Sequence, residues 1–255
     1  YNVVNPDNIC EEYGADALRF WAAGSSLGND LDYQEKDLVT GKKFITKIWN
    51  ASRFVFMNLG DYDGQEPGKL MEVDDLFLRN LNILIKNVTK NFEKYEYSKA
   101  KSLVEDFFWH DFCDNYLEIV KKRIYQNKTG KLSAQYTLYK SLLSLLKMIA
   151  PIMPFITEEI YQNYYLEGEK NESIHTSKWP EFEIGESKQD VSFELLVQLL
   201  VKIRQEKTNS KKSMNTECIV TIDKKEKEKL SEMLEDLKDV MNIAEIKTGK
   251  FKGEF

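Results

Sequence analysis

Cysteine, histidine and helix-breaking residues are scarce in this 255-residue chain: three Cys, two His, five Pro and twelve Gly. Cys10, Cys113 and Cys218 stand far apart, so they make neither a disulfide framework nor a Cys-x-x-Cys metal knuckle. With two histidines a zinc site is a poor expectation, and the cysteine usage reads as a reducing, cytoplasmic compartment. So little Pro and Gly excludes a disordered composition. No apolar run reaches the roughly 18–20 residues that span a bilayer, so no membrane partner is expected. The opening Tyr1–Pro6 shows no basic region followed by an apolar stretch, hence no signal peptide is read there, and the missing initial Met suggests a cut start. What is present is 42% hydrophobic and 31% charged, with 36 basic against 42 acidic residues and a net charge of −6. That is a globular composition with room for one large domain or two smaller ones.

The periodicity is helical. From Thr40 to Leu59 apolar residues fall at Phe44, Ile48, Ala51, Val55 and Leu59, spaced as one helix face requires. A second stripe (Leu76, Phe77, Leu81, Leu84, Val88, Phe92) follows the Asp74-Asp75 start. A third runs from Ser98 to about Tyr125. A fourth, after Ser133, carries Leu138, Leu142, Leu145, Leu146 and Ile149 and stops at Pro151 and Pro154, which cannot donate helix hydrogen bonds. Phe155–Tyr165 reads as a short helix and Val191 to about Lys207 as another. Apolar on one face and charged on the other, these predict a mainly α fold, an antiparallel helix bundle. The tail differs: Glu217–Ile222 and Ile243–Thr248 read as strands flanking a charged helix from Lys224 to Asp239, a small C-terminal α/β appendix. No fixed-period repeat is apparent.

At the start, Asn5-Pro6 can cap and open a helix, Gly14 can end it in a left-handed turn, and Asp16 falls in the first turn of the next. Residues 60–68 and 166–190 read as connectors. The expected organisation is therefore a junction with the first bundle helix over 1–60, a helical domain over 61–212, and the appendix over 213–255.

Catalytic constellations are missing. No phosphate-binding Gly-rich loop, dinucleotide fingerprint or His-Glu-x-x-His is found. His110, between Trp109 and Asp111, reads as structural rather than as a general base, and His175 as solvated or bonded to backbone. Glu158-Glu159 read as acids favoured at a helix start. Charge is more informative in its distribution. Lys36, Lys42, Lys43, Lys47 and Arg53 face only Asp37. Lys121, Lys122, Arg123, Lys128 and Lys131 form a run without an acid. Lys202, Arg204, Lys207, Lys211 and Lys212 face only Glu206. Each run alone is an ordinary solvated helix face; three in an acidic chain point toward a polyanion such as RNA. Phe44, Trp49, Phe54 and Phe56 interleave with the first, and Trp49 alone lies clearly off the apolar stripe, as a base-stacking residue would.

Certain stretches resemble a known family. Asn2-Val3-Val4-Asn5-Pro6 with Tyr13-Gly14-Ala15-Asp16-Ala17-Leu18-Arg19-Phe20 resembles the segment after the Lys-Met-Ser-Lys-Ser loop of class I aminoacyl-tRNA synthetases. Gly41–Val55, with Trp49-Asn50-Ala51-Ser52-Arg53-Phe54, looks specifically like the valyl-tRNA synthetases, of an archaeal-like kind. Trp109–Glu118, Ala150–Ile160 and the stretch from Ser173-Ile174-His175 to Trp179-Pro180 are similar to that family in order and spacing over residues 1 to about 210. The resemblance implies a tRNA-binding, anticodon-recognition region whose catalytic domain lies upstream. The parent ligase would use ATP with Mg, and this region alone would be catalytically inactive, with no catalytic or metal residue of its own. The implied partners are tRNA(Val), chiefly its anticodon arm, and the enzyme's own catalytic domain. Lys42, Lys43 and Lys47 would face phosphates, Trp49 would stack, and Asn50 and Arg53 would reach a base edge, with Arg53 alternatively a brace to a neighbouring helix. Lys121, Lys122 and Arg123 form a second expected contact surface, and Lys202, Arg204 and Lys207 a weaker third. A protein-binding helical bundle, or the same region of an isoleucyl- or leucyl-tRNA synthetase, is the alternative.

Overall fold

The computed structural model describes residues 5–30, 33–181 and 191–255. Asn2-Val3-Val4 and residues 182–190 of the long polar connector lie outside them. The chain is mainly helical: α1 (Pro6–Tyr13), α2 (Ala15–Ala22), α3 (Glu35–Met57), α4 (Glu72–Glu93), α5 (Tyr97–Asp106), a π-helical stretch (Phe107–Tyr116), α6 (Leu117–Tyr125), α7 (Lys131–Ile149), α8 (Pro154–Tyr164) and α9 (Ser192–Asn209). Strand β1 (Cys218–Ile222), α10 (Lys224–Lys229), α11 (Leu234–Met241), β2 (Ile243–Thr248) and β3 (Lys252–Glu254) follow. No helix among the described residues is long and apolar enough to cross a membrane.

Two compact units emerge, each drawing on segments interleaved along the sequence. The first holds residues 1–65, 81–110 and 138–183; the second holds 66–80, 111–137 and 184–255. In the first, α2 packs on α3 and α8, and α1 rests on α2 and α3. The approach of α2 to α3 is close because α3 offers Gly41 there: a Cβ at that position would lie 3.1 Å from Ala17 Cα. The buried face of α3 is Leu38, Gly41, Phe44, Ile48, Ala51, Ser52 and Val55. Phe44 meets Phe20 at 5.1 Å and Phe108 at 5.5 Å between ring centroids.

The second unit ends in the expected appendix. Its sheet has the order β2–β1–β3, with β1 parallel to β2 through α10 and α11, and antiparallel to β3. Val220 pairs with Ile246 on one side and Gly253 on the other. Cys218, Val220 and Ile222 point into the core, the period-2 alternation of a one-sided sheet. Helix α11 packs on α6, α9 and β2. The expected charged helix from Lys224 to Asp239 is divided: Leu230 and Met233 are drawn into the core at a 3₁₀ turn between α10 and α11. The helix read from Ser98 to Tyr125 widens to π geometry at its centre, which a 3.6-residue apolar period does not disclose.

Local capping explains the N-terminal motif. Asn5 Oδ1 accepts from Asp7 N, with Pro6 opening α1. Gly14 is not left-handed as expected; at φ +89°, ψ 151° it holds a positive-φ extended turn that suits glycine alone. Beyond it, α2 serves the break that Pro151 and Pro154 make between α7 and α8. A helix end leaves carbonyls unsatisfied and a helix start leaves N–H groups unsatisfied. Arg19 Nε donates to Ile152 O at 2.9 Å and Arg19 Nη2 to Pro151 O at 2.8 Å. Across the break, Asp16 Oδ1 and Oδ2 accept from Phe155 N at 3.2 Å and Ile156 N at 2.7 Å. Asp16 therefore caps α8, a role the sequence suggested for Glu158-Glu159. Glu158 instead accepts from Ser173 Oγ and Ile174 N and fastens the loop after α8. Burial pushes the Asp16 carboxyl up from its ordinary range, against the two backbone donors that favour its charge.

Asp16→Ala leaves two N–H groups without their acceptor and removes two charge-assisted bonds. It is expected to lower the unfolding free energy by about 2–3 kcal/mol, with Asp16→Asn losing about half of that. Urea denaturation checks this, and a loss below about 0.5 kcal/mol for the alanine variant would contradict it.

Candidate nucleic-acid interface

Opposite its buried face, α3 carries a continuous exposed stripe: Lys36, Val39, Lys43, Thr46, Asn50, Arg53 and Met57, spaced alternately three and four residues apart. Over 21 residues at 1.5 Å each this is about 31 Å of helix surface. It holds three cations and no acid. Lys36, Lys43 and Arg53 form no ion pair among the described residues, and no acid there engages Arg53 as a brace.

The other expected contacts of α3 are partly engaged. Lys42 Nζ donates to Glu12 O at 3.1 Å and lies 5.8 Å from the Tyr13 ring, fastening α3 to α1. Tyr13 in turn donates to Glu35 Oε1 at 2.6 Å. Lys47 Nζ sits 4.8 Å from the centre of the Trp109 ring, a cation–π contact. Trp49 is half-buried, 6.4 Å from Tyr164, and Tyr164 stacks on Phe56 at 4.5 Å and 8°. An aromatic ledge therefore flanks the stripe on the side of Trp49. Tyr164 belongs to that ledge and was missed. It lies 115 positions from Trp49, and helical periodicity carries no information about neighbours on other helices.

The second basic run is largely neutralised inside its own unit. Arg123, expected at the surface, is buried at 4% exposure. Its fork grips Asp74 with Nη1 to Oδ2 at 2.9 Å and Nη2 to Oδ1 at 2.8 Å. Tyr116 Oη and Ser133 Oγ donate to the same carboxylate at 2.8 and 2.5 Å. Arg123 Nε lies 3.0 Å from Asp236 Oδ1, a charge contact rather than an aligned hydrogen bond. The correction has a plain cause: a guanidinium between two buried carboxylates is bound where it sits. Lys121 pairs with Glu118, and both Lys122 and Lys128 face Asp239, at 3.7 and 2.6 Å.

The third run has the same character. Lys207 is fully buried, and its three ammonium protons go to Met214 O at 2.7 Å, Thr216 O at 2.8 Å and Met241 O at 2.7 Å. Arg204 donates to Asn115 Oδ1 and Asp114 O, each at 3.0 Å. Lys202 remains exposed, 4.0 Å from Glu226. His175, expected to be solvated or bonded to backbone, places Nε2 3.1 Å from Pro154 O. No cluster of metal-ligating side chains occurs among the described residues.

A mainly helical chain presenting a cationic helix face beside half-buried aromatics has the make-up of a surface for a polyanion. The chain belongs to the family described as the anticodon-binding domain of tRNA ligase, which matches residues 74–222. Within it, similar curated relatives are valine–tRNA ligases. That of Methanothermobacter thermautotrophicus is 37% identical over 252 residues, covering 96% of this chain and 28% of the relative. The Haloarcula marismortui enzyme is 40% identical over 197 residues, 74% of this chain and 21% of the relative. That of Ehrlichia ruminantium is 45% identical over 184 residues, 70% of this chain and 22% of the relative. The chain thus spans between about a fifth and a third of the length of these relatives. Among solved structures, the LeuRS–tRNA–LeuAMS ternary complex of Agrobacterium radiobacter K84 aligns with a TM-score of 0.54 at 19% identity, over 71% of this chain and 21% of that one. The free methionyl-tRNA synthetase of Mycobacterium tuberculosis aligns with a TM-score of 0.53 at 18% identity, over 62% and 34%. Both support the fold.

The Arg123 cluster makes a pH prediction. Burial pushes the Asp236 carboxyl up to about 6; the Arg123 charge opposes this, while Asp74, Asp239 and Glu235 add to it. A folded-state value above the unfolded one means that Asp236 contributes stability at low pH, and the contribution is lost as pH rises through about 6. The stability difference between wild type and Asp236→Asn should therefore move in the variant's favour between pH 5 and pH 7. Urea unfolding at four pH values measures it, and a difference independent of pH would refute the assignment.

Proposed function

We propose that this chain is the anticodon-binding region of a valine–tRNA ligase and that the exposed stripe of α3 grips the anticodon arm of tRNA(Val). The observation that carries the reading is the row Lys36, Lys43 and Arg53, exposed and without an ion pair among the described residues, with Asn50 between the last two and the Trp49–Tyr164–Phe56 ledge beside it. Anticodon bases are unpaired and can be splayed onto aromatic rings and guanidinium planes while their edges take hydrogen bonds. Lys43 supplies phosphate affinity without base information; Asn50 and Arg53 supply base contacts. Lys42 and Lys47 contribute field from their places against Tyr13 and Trp109. The engaged Lys121 and Lys122 and the buried Arg123 are assigned to holding the second unit together.

In this reading residues 1–60 form the junction to a catalytic domain carried elsewhere in the longer ligase, 61–212 the helical domain, and 213–255 an appendix braced by Lys207 and Asp236. Valine activation with ATP and Mg belongs to that catalytic domain, and the working compartment is the cytoplasm. This chain's part is to hold and orient the tRNA.

Binding titrations at two salt concentrations test the proposal with tRNA(Val), the same tRNA altered at its middle anticodon base, and an unrelated tRNA. Lys43→Ala is expected to weaken all three alike and reduce the log–log salt slope by about 0.7–0.9. Asn50→Ala and Arg53→Ala should each cost about 1–3 kcal/mol on tRNA(Val) and little on the altered tRNA. Salt-insensitive binding, or equal losses on every RNA from Asn50→Ala and Arg53→Ala, would overturn the anticodon reading.

A further inference from the structure

The first unit holds two cavities to which α3 contributes no lining residue. Between α2, the end of α4, the start of α5 and the α7–α8 break is a cavity of about 380 Å³, walled by Phe92, Tyr97, Pro151, Ile152 and Arg19. Its volume falls in the roughly 300–1,000 Å³ range of small-molecule sites. Phe92 and Tyr97 stand 6.1 Å apart at 50°, and each is buttressed edge-on, Phe92 by Trp179 at 5.6 Å and Tyr97 by Tyr95 at 6.1 Å. Trp179 is itself fixed by its Nε1 donating to Thr89 Oγ1 at 2.8 Å. Arg19 is pinned through Nε and Nη2 to the two carbonyls at the helix break, which leaves Nη1 without a hydrogen-bond partner among the described residues. The cavity thus combines aromatic walls, an immobilised guanidinium and a spare donor at its edge.

Pro151 also walls a neighbouring cavity of about 140 Å³, whose polar lining is Lys147, His175, Ser177 and Lys178, with Trp179 on its apolar side. No carboxylate among the described residues lines it; Glu169 and Glu158 stand outside, the first acting on Lys147 through its charge and the second 3.9 Å from His175. Lys147 is half-buried and makes no ion pair or hydrogen bond among the described residues. Burial, helped by the charge of Lys140, holds its ammonium below the usual lysine range. An anion reaching it would restore the stabilisation that water no longer supplies.

We infer that the two adjoining cavities form a site for one nucleotide unit, the base between Tyr97, Phe92 and Arg19 and its phosphate on Lys147 and Lys178. The base gains stacking on the Tyr97 and Phe92 rings, with Arg19 Nη1 donating in its plane to an acceptor on the base edge; the phosphate meets two ammonium groups and the Ser177 hydroxyl. The unit is an unstacked nucleotide of the bound RNA or a free mononucleotide, since both present the same chemistry. The RNA source rests on the tRNA reading above; the mononucleotide source does not.

The test measures binding of AMP, of inorganic phosphate and of tRNA(Val) to the whole chain and to Tyr97→Ala, Tyr97→Phe and Lys147→Met, with Arg53→Ala alongside. Tyr97→Ala should weaken the nucleotide contact about tenfold and Lys147→Met about fivefold, while Tyr97→Phe, which keeps the ring, restores wild-type binding. Loss on AMP supports the site with a free nucleotide as its source. Loss on tRNA(Val) with no AMP binding supports it with the RNA as its source. If Lys147→Met weakens phosphate and tRNA but Tyr97→Ala changes nothing, the base pocket is overturned. If Arg53→Ala weakens tRNA and neither Tyr97→Ala nor Lys147→Met does, with no AMP bound, this inference falls and the α3 reading stands. AMP binding lost in Tyr97→Ala alongside a silent Arg53→Ala leaves the reverse.

Discussion

The break between α7 and α8 exposes backbone groups that must be paired if the first unit is to close, and two side chains of α2 pair them. Asp16 and Arg19 lie one turn apart, so one carboxylate and one guanidinium leave the same helix face and reach the two ends of one interruption. Each side of the break is matched in sign: the acid takes the N–H groups at the start of α8, and the base takes the carbonyls of the turn just beyond the end of α7. With α2 held this way, α3 packs against it through Gly41, and the outward face of α3 acquires a fixed direction. The exposed row from Lys36 to Met57 is therefore a rigid consequence of contacts made on the opposite side of that helix.

Basic residues in this chain divide by how many acceptors reach them. Arg123 and Lys207 are held by fixed acceptors: a bidentate carboxylate with a second one close by for Arg123, and three carbonyls for the three protons of Lys207. In the second unit they tie α6 to Asp74 at the start of α4 and to α11, and α9 to α11. Lys36, Lys43 and Arg53 have no such acceptor among the described residues and stand exposed to solvent. The distinction is one of surroundings, and identical residue types fall on both sides of it.

That is why legibility in the sequence varied so sharply. Helix faces are local, and the apolar spacing from Phe44 to Leu59 and the alternation in Cys218–Ile222 place those elements within a few residues. The strand Ile243–Thr248 and the cap at Asn5-Pro6 are equally local. Partners far along the chain are not: nothing near Arg123 discloses that Asp74 lies beside it, and nothing near Asp16 discloses the start of α8. The stripe on α3 was legible in part: Lys43, Asn50 and Arg53 are exposed where their own helix puts them, whereas the engagement of Lys42 and Lys47 depends on Glu12, Tyr13 and Trp109. The ledge was half legible, Trp49 from its place off the apolar stripe and Tyr164 not at all. The two adjoining cavities depend on residues from five separate stretches and had no trace in the spacing.

The interleaving of the units bears on how the chain is made. The bonds from Phe155 and Ile156 to Asp16 close a span of 139 to 140 residues, and the first unit draws on segments reaching residue 183. At roughly 5–20 residues per second, ribosomal synthesis leaves α1 to α3 without their final partners for many seconds after they emerge. During that interval Gly41, Ala17 and the apolar side of α3 can collapse locally, but Asp16 and Arg19 have no α7–α8 break to pair. The order of synthesis makes late arrival of the α7–α8 segment the step that commits the N-terminal helices to their places, so nascent chains truncated before residue 156 should remain clients for chaperones.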